Sequence, residues 1–393
     1  IIVDNTSLFL LSFARFHRNN FDIPVICIIG SNGKTTTKEL IVNVLKKKYD
    51  VCYTPYNQNN LIGVPLALLN IKETTKIAVI EAGISIKGEM EQLASVIQPT
   101  HLVITALDEE HIEGLWSHST AHYYSPSPWI EEELIALRYI KAWEKTKKPL
   151  IILNWANDNI KEVFNAHIKE QRAFSGKEVE WQLCGLTYEC DIIGEVEKTP
   201  DPLFAFSWHR KGENTKKKVQ TKFFGSHNIT NFLLACGVAS LFNLSDEEIN
   251  NALSEAEPPP MRSSLKLTPS GNTLIIDCYN ANPASMWSAV LEAREKLGDN
   301  SILILGDMLE LGVDSPYFHY QILALIRDLA FKPENVFLVG PRFKMFQKYF
   351  GEFSYYEDVE VLCQNLSKLR IENSRILIKG SRGIQLEKAL KFL

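Results

Sequence analysis

The sequence predicts an α/β fold of two domains, each on a mainly parallel sheet, with a small antiparallel β appendage. Three observations predict it. Short apolar runs recur between helical segments, one such run ends in a glycine–lysine loop that opens a helix, and three consecutive prolines interrupt the chain past its midpoint. At the start, Ile2-Val3-Asp4 reads as a short strand, and Leu8, Leu11, Phe13, Ala14 and Phe16 as the apolar stripe of an amphipathic helix. The chain begins at Ile1 rather than methionine, so residues 1–20 are expected to be a linker helix from a preceding domain that is missing here. Continuous apolar runs follow at Val25–Ile29, Ile77–Ile80, Leu102–Thr105 and Leu150–Leu153, then at Leu274–Ile276, Ser301–Leu305, Val336–Val339 and Arg375–Ile378. Unbroken apolar strands alternating with helices imply parallel sheets covered on both faces. Tyr188 to Phe224 differs, alternating apolar and polar residues around the turn Lys211-Gly212-Glu213-Asn214, which predicts the antiparallel appendage. A short helix over Asp246–Ala256 runs into Glu257-Pro258-Pro259-Pro260, a stiff extended linker because proline cannot continue a helix. The predicted domains are therefore 21–259 and 260–393.

Composition narrows the function. The 393 residues are 45% hydrophobic and 23% charged, with a net charge of -5, which gives no electrostatic basis for binding nucleic acid or an anionic membrane. No apolar run is long enough for membrane insertion. The lysine clusters Lys46–Lys48 and Lys216–Lys218 read as solvated faces. Seven cysteines without a Cys-x-x-Cys pair suggest buried thiols in a reducing, cytoplasmic compartment. Small-molecule substrates and a monomer are expected.

The chemistry concentrates in Val25-Ile26-Cys27-Ile28-Ile29-Gly30-Ser31-Asn32-Gly33-Lys34-Thr35-Thr36-Thr37. A strand, a tight loop and a helix N-terminus present outward N–H groups and a favourable dipole, which bind phosphate. Lys34 adds charge for the outer phosphates, and Thr35 offers a hydroxyl to Mg²⁺. Only two residues separate the glycines, because Ile28 stands where the general P-loop has its first glycine. Glu81 follows an apolar strand and is placed to hold Mg²⁺, although a capping or surface glutamate fits the same position. His111 lies in an acidic loop after the next strand. Alone it would be a solvated histidine; beside Glu81 and the phosphate loop it is a candidate ligand.

The short form Gly30-x-x-Gly33-Lys34-Thr35 resembles the loop of the Mur ligase superfamily. Further motifs continue in that family's order: Asn57-Gln58-Asn59-Asn60 through Pro65, Glu81-x-Gly83 with Gly88-Glu89, His111-x-Glu113-Gly114, and Gly225-Ser226-His227-Asn228-x-x-Asn231. Arg262 follows the linker, and Asp277-Cys278-Tyr279-Asn280-Ala281-Asn282-Pro283, Gly306–Gly312 and Lys379–Gly383 complete the pattern over nearly the whole chain. The resemblance implies a P-loop central domain, a C-terminal Rossmann-like domain, and an ATP- and Mg²⁺-dependent amide ligase acting through an acyl phosphate. Its implied substrates are UDP-N-acetylmuramoyl-tripeptide and D-alanyl-D-alanine. Gly30, Ser31, Asn32, Gly33, Lys34, Thr35 and Thr36 would hold the phosphates, and His227, Asn228 and Asn231 the adenine. Asp277 would take the ribose, Tyr279 would join the nucleotide site, and Arg262 would reach the terminal phosphate. Asn57, Asn59 and Asn60 would meet the muramoyl peptide, and Asn280 and Asn282 the dipeptide. Lys34, Glu81, His111 and Arg262 are the implied catalytic set, with Thr35, Glu81 and His111 as metal ligands.

Simpler roles stay open for some of these residues. Asp277 also fits a strand-end cap, and Asn280 and Asn282 also fit turn formers. The chain departs from the family in having no lysine between Lys87 and Lys141, where members carry a carbamylated lysine. Glu131 is a candidate replacement, because a carbamate is chemically a carboxylate on a long arm; an acidic first helical turn explains Glu131-Glu132-Glu133 equally well. Two rivals follow: a degenerate nucleotide-binding protein without ligase activity, and a superfamily ligase with another amine acceptor.

Overall fold

The structure, a computed structural model, describes residues 2–108, 130, 134–141, 150–168, 179–199, 203–298 and 300–393. The larger sheet holds β1 (Val25–Ile29), β2 (Val51–Tyr53), β3 (Ile77–Glu81), β4 (His101–Ile104), β5 (Leu150–Asn154), β6 (Glu180–Gly185), β7 (Ile192–Glu197), β8 (Leu203–Arg210) and β9 (Lys217–Phe224). Their spatial order is β2-β3-β1-β4-β5-β6-β7-β8-β9. Neighbours are parallel from β2 to β7 and antiparallel from β7 to β9. The smaller sheet holds β10 (Ser264–Leu267), β11 (Thr273–Asp277), β12 (Ile302–Gly306), β13 (Val336–Val339), β14 (Ser354–Tyr356) and β15 (Arg375–Lys379). Its order is β10-β11-β15-β12-β13-β14, parallel except for β10.

Both faces of each sheet are covered, as the unbroken apolar runs require. In β1, Val25, Cys27 and Ile29 enter one core while Ile26 and Ile28 enter the opposite one. In the smaller sheet, Leu303 and Leu305 face one core, and Ile302 and Ile304 the other. The expected antiparallel appendage is β7 to β9. These strands extend the large sheet edge to edge, because β7 pairs parallel with β6 on one side and antiparallel with β8 on the other.

Two expectations are corrected at the start of the chain. Residues 2–4 belong to no strand, since among the described residues they pair with no neighbouring ladder. A helix does form over Thr6–Arg18, capped by the Asn5 side chain, but its buried residues are Leu11, Ala14 and Arg18. Leu8, Phe13 and Phe16 are exposed. Arg18 replaces them as the anchor, donating to the Ile97 and Gln98 carbonyls.

Order within the large sheet creates the crevice. The chain runs from β1 outward to β2 and back to β3 on one side, then crosses to β4 on the other. Loops after β1, β3 and β4 therefore diverge at their carboxyl ends, the switch point at which open α/β sheets bind ligands.

The core also contains two histidines held neutral. Burial pushes His101 and His319 down to about 4. His101 meets Thr100 Oγ1 at 2.8 Å and lies tilted against the Phe242 ring; His319 accepts from the Met308 N–H and contacts the Ser315 carbonyl. Both titrate near 6.5 once unfolded, so the unfolded chain binds more protons between those values and stability falls as pH drops through that window. The expected loss is about 1.4 kcal/mol per pH unit for each histidine in that window. Urea unfolding at pH 7 and pH 5 checks this; an unchanged midpoint contradicts it.

Candidate active site

A cleft of about 520 Å³ lies between the carboxyl ends of the two sheets, lined from one side by Ser31–Thr36 and from the other by Arg262, Asp277, Tyr279 and Lys379. The loop after β1 shapes its floor. Gly33 is left-handed, with φ 81°, and a Cβ there would lie 2.5 Å from Asn231 Oδ1, so only glycine lets the loop approach that side chain. Lys34 opens the following helix, Lys34–Leu45. Its ammonium folds back onto the carbonyls of Gly30 and Ser31, the latter at 3.1 Å.

Glu81 ends β3 and is 1% exposed. Its Oε1 accepts from Thr35 Oγ1 and from Asn59 Nδ2, each at 2.9 Å. Its Oε2 is buried with no hydrogen-bond partner; the Lys38 ammonium stands 3.6 Å away. Lys38 is itself fully buried and donates to the carbonyls of Thr54 and Tyr56. A hydroxyl and a carboxylate with an orphaned oxygen form a hard-oxygen donor set that fits Mg²⁺. His111 and Glu131, the other two sequence candidates for metal, lie outside the described residues.

The structure also locates the remaining candidates. Asn57, Asn59 and Asn60 line the cleft beside Glu81, and the Asn60 side chain caps the backbone of Ile62 and Gly63. His227, Asn228 and Asn231 line the opposite end. Asn231 accepts from the Thr37 hydroxyl at 3.1 Å and donates to Asn228 at 3.1 Å, so these amides also brace the phosphate loop's helix. Thr36 lines the cleft as well.

Across the cleft, Arg262 stacks on the Tyr279 ring at 4.2 Å. It stands between Met261 and Ser263, which both have positive φ (60° and 49°), a strain that persists only where surrounding bonds hold it. Those bonds are present: Tyr279 N–H donates to the Met261 carbonyl at 3.2 Å, and Ser263 N–H to Asp277 Oδ1 at 3.1 Å. Asp277 Oδ2 pairs with Lys379 at 2.6 Å. Burial would raise the Asp277 carboxyl, but the Lys379 ammonium and the Ser263 N–H outweigh it and hold it below its ordinary value.

Asn280 lines the cleft, and its Oδ1 accepts the Ala281 N–H at 2.9 Å. Asn282 is buried, caps the helix Pro283–Glu292, and donates to Asn32 Oδ1 at 2.8 Å across the domains. Ser381 Oγ ties together the loops that follow β11 and β12, accepting from Leu309 N–H at 2.9 Å and donating to the Ala281 carbonyl at 3.2 Å.

Several cleft residues escaped the sequence reading. Asp108 accepts from Asn157 at 2.8 Å and from Asn32 at 3.4 Å, and Asn154 donates to the Thr105 carbonyl at 2.7 Å. Asn154 could have been found by its place at the end of an apolar run, while Lys379 was part of the Lys379–Gly383 motif but carried no assigned role. Glu292, paired with His227 at 3.0 Å, carries no comparable signal because it lies mid-sequence in an ordinary helical segment.

Residues 28–239 match the Mur ligase middle domain, and residues 261–382 the Mur ligase glutamate ligase domain. The chain is 31% identical over 406 residues to UDP-N-acetylmuramoyl-tripeptide--D-alanyl-D-alanine ligase of Bacillus subtilis, covering 100% of this chain and 80% of that protein. Among solved structures it is similar to MurF from Acinetobacter baumannii, with a TM-score of 0.81 at 24% identity, covering 100% of this chain and 81% of that one. It is also similar to MurF ligase from Thermotoga maritima in complex with ADP, with a TM-score of 0.79 at 20% identity, covering 100% and 84%.

Gly33→Ala would force its Cβ against Asn231 in a left-handed residue. Gly88→Ala keeps the positive φ but meets nothing within 4 Å. Both lose about 1–2 kcal/mol to backbone strain, and Gly33→Ala loses more, which urea unfolding of the two variants will compare. Equal losses contradict the close approach to Asn231.

Proposed function

Because the chain belongs to the Mur ligase family, we propose that it is an ATP-dependent amide ligase that adds D-alanyl-D-alanine to UDP-N-acetylmuramoyl-tripeptide through an acyl phosphate. The observation that carries this reading is the head of the cleft. There the glycine–lysine loop, the Thr35 hydroxyl and the Glu81 carboxylate it donates to line one side of the cleft, with Arg262 on the other. The substrates are those of the relatives, and the cytoplasm is the compartment that fits them.

A carboxylate does not condense with an amine at neutral pH, because its carbon is a poor electrophile. In the proposed reaction an oxygen of the tripeptide's terminal carboxylate takes the γ-phosphoryl group, the bond to the β-phosphate oxygen breaks, and ADP leaves. The dipeptide amine then attacks the acyl carbon, phosphate departs, the nitrogen loses a proton, and the amide remains. Transfer of this kind relies on positioning and charge neutralisation.

The roles divide along the cleft. The backbone of Gly30–Gly33 and the Thr36 side of the helix cradle the phosphates, and Lys34 and Arg262 neutralise the transferring group. Thr35 and Glu81 would hold Mg²⁺, with His111 and Glu131 as further candidates on the sequence resemblance. Bound Mg²⁺ supplies additional charge neutralisation on the phosphate oxygens. His227, Asn228 and Asn231 border the adenine end, while Asp277 and Tyr279 border the ribose. Asn57, Asn59 and Asn60 face the muramoyl peptide. Asn280, with the loops tied by Ser381, faces the dipeptide, and Asn282 supports that wall through Asn32. The division at 259/260 makes the proline linker the hinge on which Arg262 swings.

Phosphate release measured with ATP, the muramoyl tripeptide and D-alanyl-D-alanine tests the reading. Release is expected to require both peptide substrates, and Lys34→Ala to lower turnover by roughly a hundredfold or more, as losing a group aimed at transition-state charge does. Release with a different amine only, ATP binding without turnover, or near-normal activity of Lys34→Ala overturns it.

A further inference from the structure

The helix Pro283–Glu292 belongs to the C-terminal domain yet touches the central domain at both ends. Its cap residue Asn282 bonds Asn32 of the phosphate loop at 2.8 Å. Its last residue, Glu292, reaches the other end of the cleft, where Oε2 lies 3.0 Å from His227 Nδ1 and Oε1 accepts the Ser226 N–H. Ten residues of α-helix span about 15 Å, so the helix runs along the cleft between these contacts. Ala284, Ser288 and Glu292 recur every four residues and therefore share a face; Ala284 and Ser288, with Ser285, line the cleft.

The hydrogen bonds fix the His227 ring. The Asn228 amide donates to Nε2 at 3.2 Å, which leaves Nδ1–H to donate to Glu292. The same carboxylate takes the Ser226 N–H at the start of the segment that leads into the helix Ile229–Leu241, where an anion is favoured. Burial would raise the Glu292 carboxyl, but His227 and the Ser226 N–H more than offset it and keep the group ionised. A buried carboxylate on one domain thus orients a cleft-lining histidine on the other.

Resting on the reading of this cleft as the nucleotide site, we propose that Glu292 is a positioning residue for the base of the nucleotide. It acts through His227 and Ser226, and the C-terminal domain delivers it when it meets the central domain. Affinity for the base then depends on the arrangement of the two domains, whereas affinity for the phosphates depends on the glycine–lysine loop. Glu292 itself does not touch the nucleotide.

Calorimetry on the full chain with Mg²⁺ and either a non-hydrolysable ATP analogue or tripolyphosphate separates these dependences. Glu292→Gln keeps the side chain's size and removes its charge. It is expected to weaken the ATP analogue about tenfold, as losing a charge-assisted hydrogen bond does, and to leave tripolyphosphate binding unchanged. In turnover it raises KM for ATP with kcat unchanged. In a His227→Ala background the same substitution costs little more, because the two residues act as a unit. Glu292→Asp, which keeps the charge on a shorter arm, falls between wild type and Gln. Equal weakening of both ligands, unchanged binding of both with only a lower melting temperature, or full additivity with His227→Ala overturns the proposal. Failure of wild-type protein to take up the analogue overturns the nucleotide reading itself, and this inference with it.

Discussion

The buried carboxylate of Glu81 is the constraint on which the rest of the site depends. A charge removed from water is costly unless it is paired and hydrogen-bonded. Here the partners come from separate segments: Thr35 and Lys38 from the helix after the phosphate loop, and Asn59 from the asparagine-rich loop. Lys38 also holds the carbonyls of Thr54 and Tyr56, so it fastens the start of that loop to the same helix. None of these segments can drift without leaving a charged group buried and poorly paired. The single oxygen left without a hydrogen bond, Oε2, is buried, with the Lys38 ammonium 3.6 Å away.

The second constraint is that one cleft is built by two sheets. Parallel strands put their carboxyl ends at one edge, and each sheet turns that edge toward the other. β1 and β3 contribute the loop and Glu81; β11 and β15 contribute Asp277 and Lys379, which pair with each other and steady Ser263 beside Arg262. Behind this wall Asp307, after β12, accepts the N–H groups of Arg342 and Phe343, and His319 accepts that of Met308. The loop expected to face the dipeptide is therefore held from behind by buried polar groups. Burial raises the Asp307 carboxyl while those N–H groups oppose the rise.

Much of the fold was legible in the amino-acid sequence, because continuous apolar runs dictate buried parallel strands, and the glycine–lysine loop lies between strand and helix as its pattern requires. Val25–Ile29 and Val336–Val339 were bounded correctly from pattern alone. β2 and β14, three residues each, are too short to show a period, and β6 is interrupted by Glu180 and Gln182, so its strand nature comes from pairing with β5. The first helix was found, and Leu11 and Ala14 of its expected stripe are buried, but packing against neighbouring segments selected Arg18 over Leu8, Phe13 and Phe16. In the site, residues carried by a local motif were legible. Residues that act through a contact distant in sequence were not: Glu292 meets His227 across 65 positions, and no local pattern encodes that meeting.

The most direct measurement is a crystal structure with manganese and a non-hydrolysable ATP analogue, since manganese gives an anomalous signal in place of Mg²⁺. The account predicts that signal beside Thr35 and Glu81, with the triphosphate on the Gly30–Lys34 loop, the base toward His227 and Arg262 facing the terminal phosphate. A nucleotide bound elsewhere, or a triphosphate on the loop with no metal signal at Glu81, would contradict it.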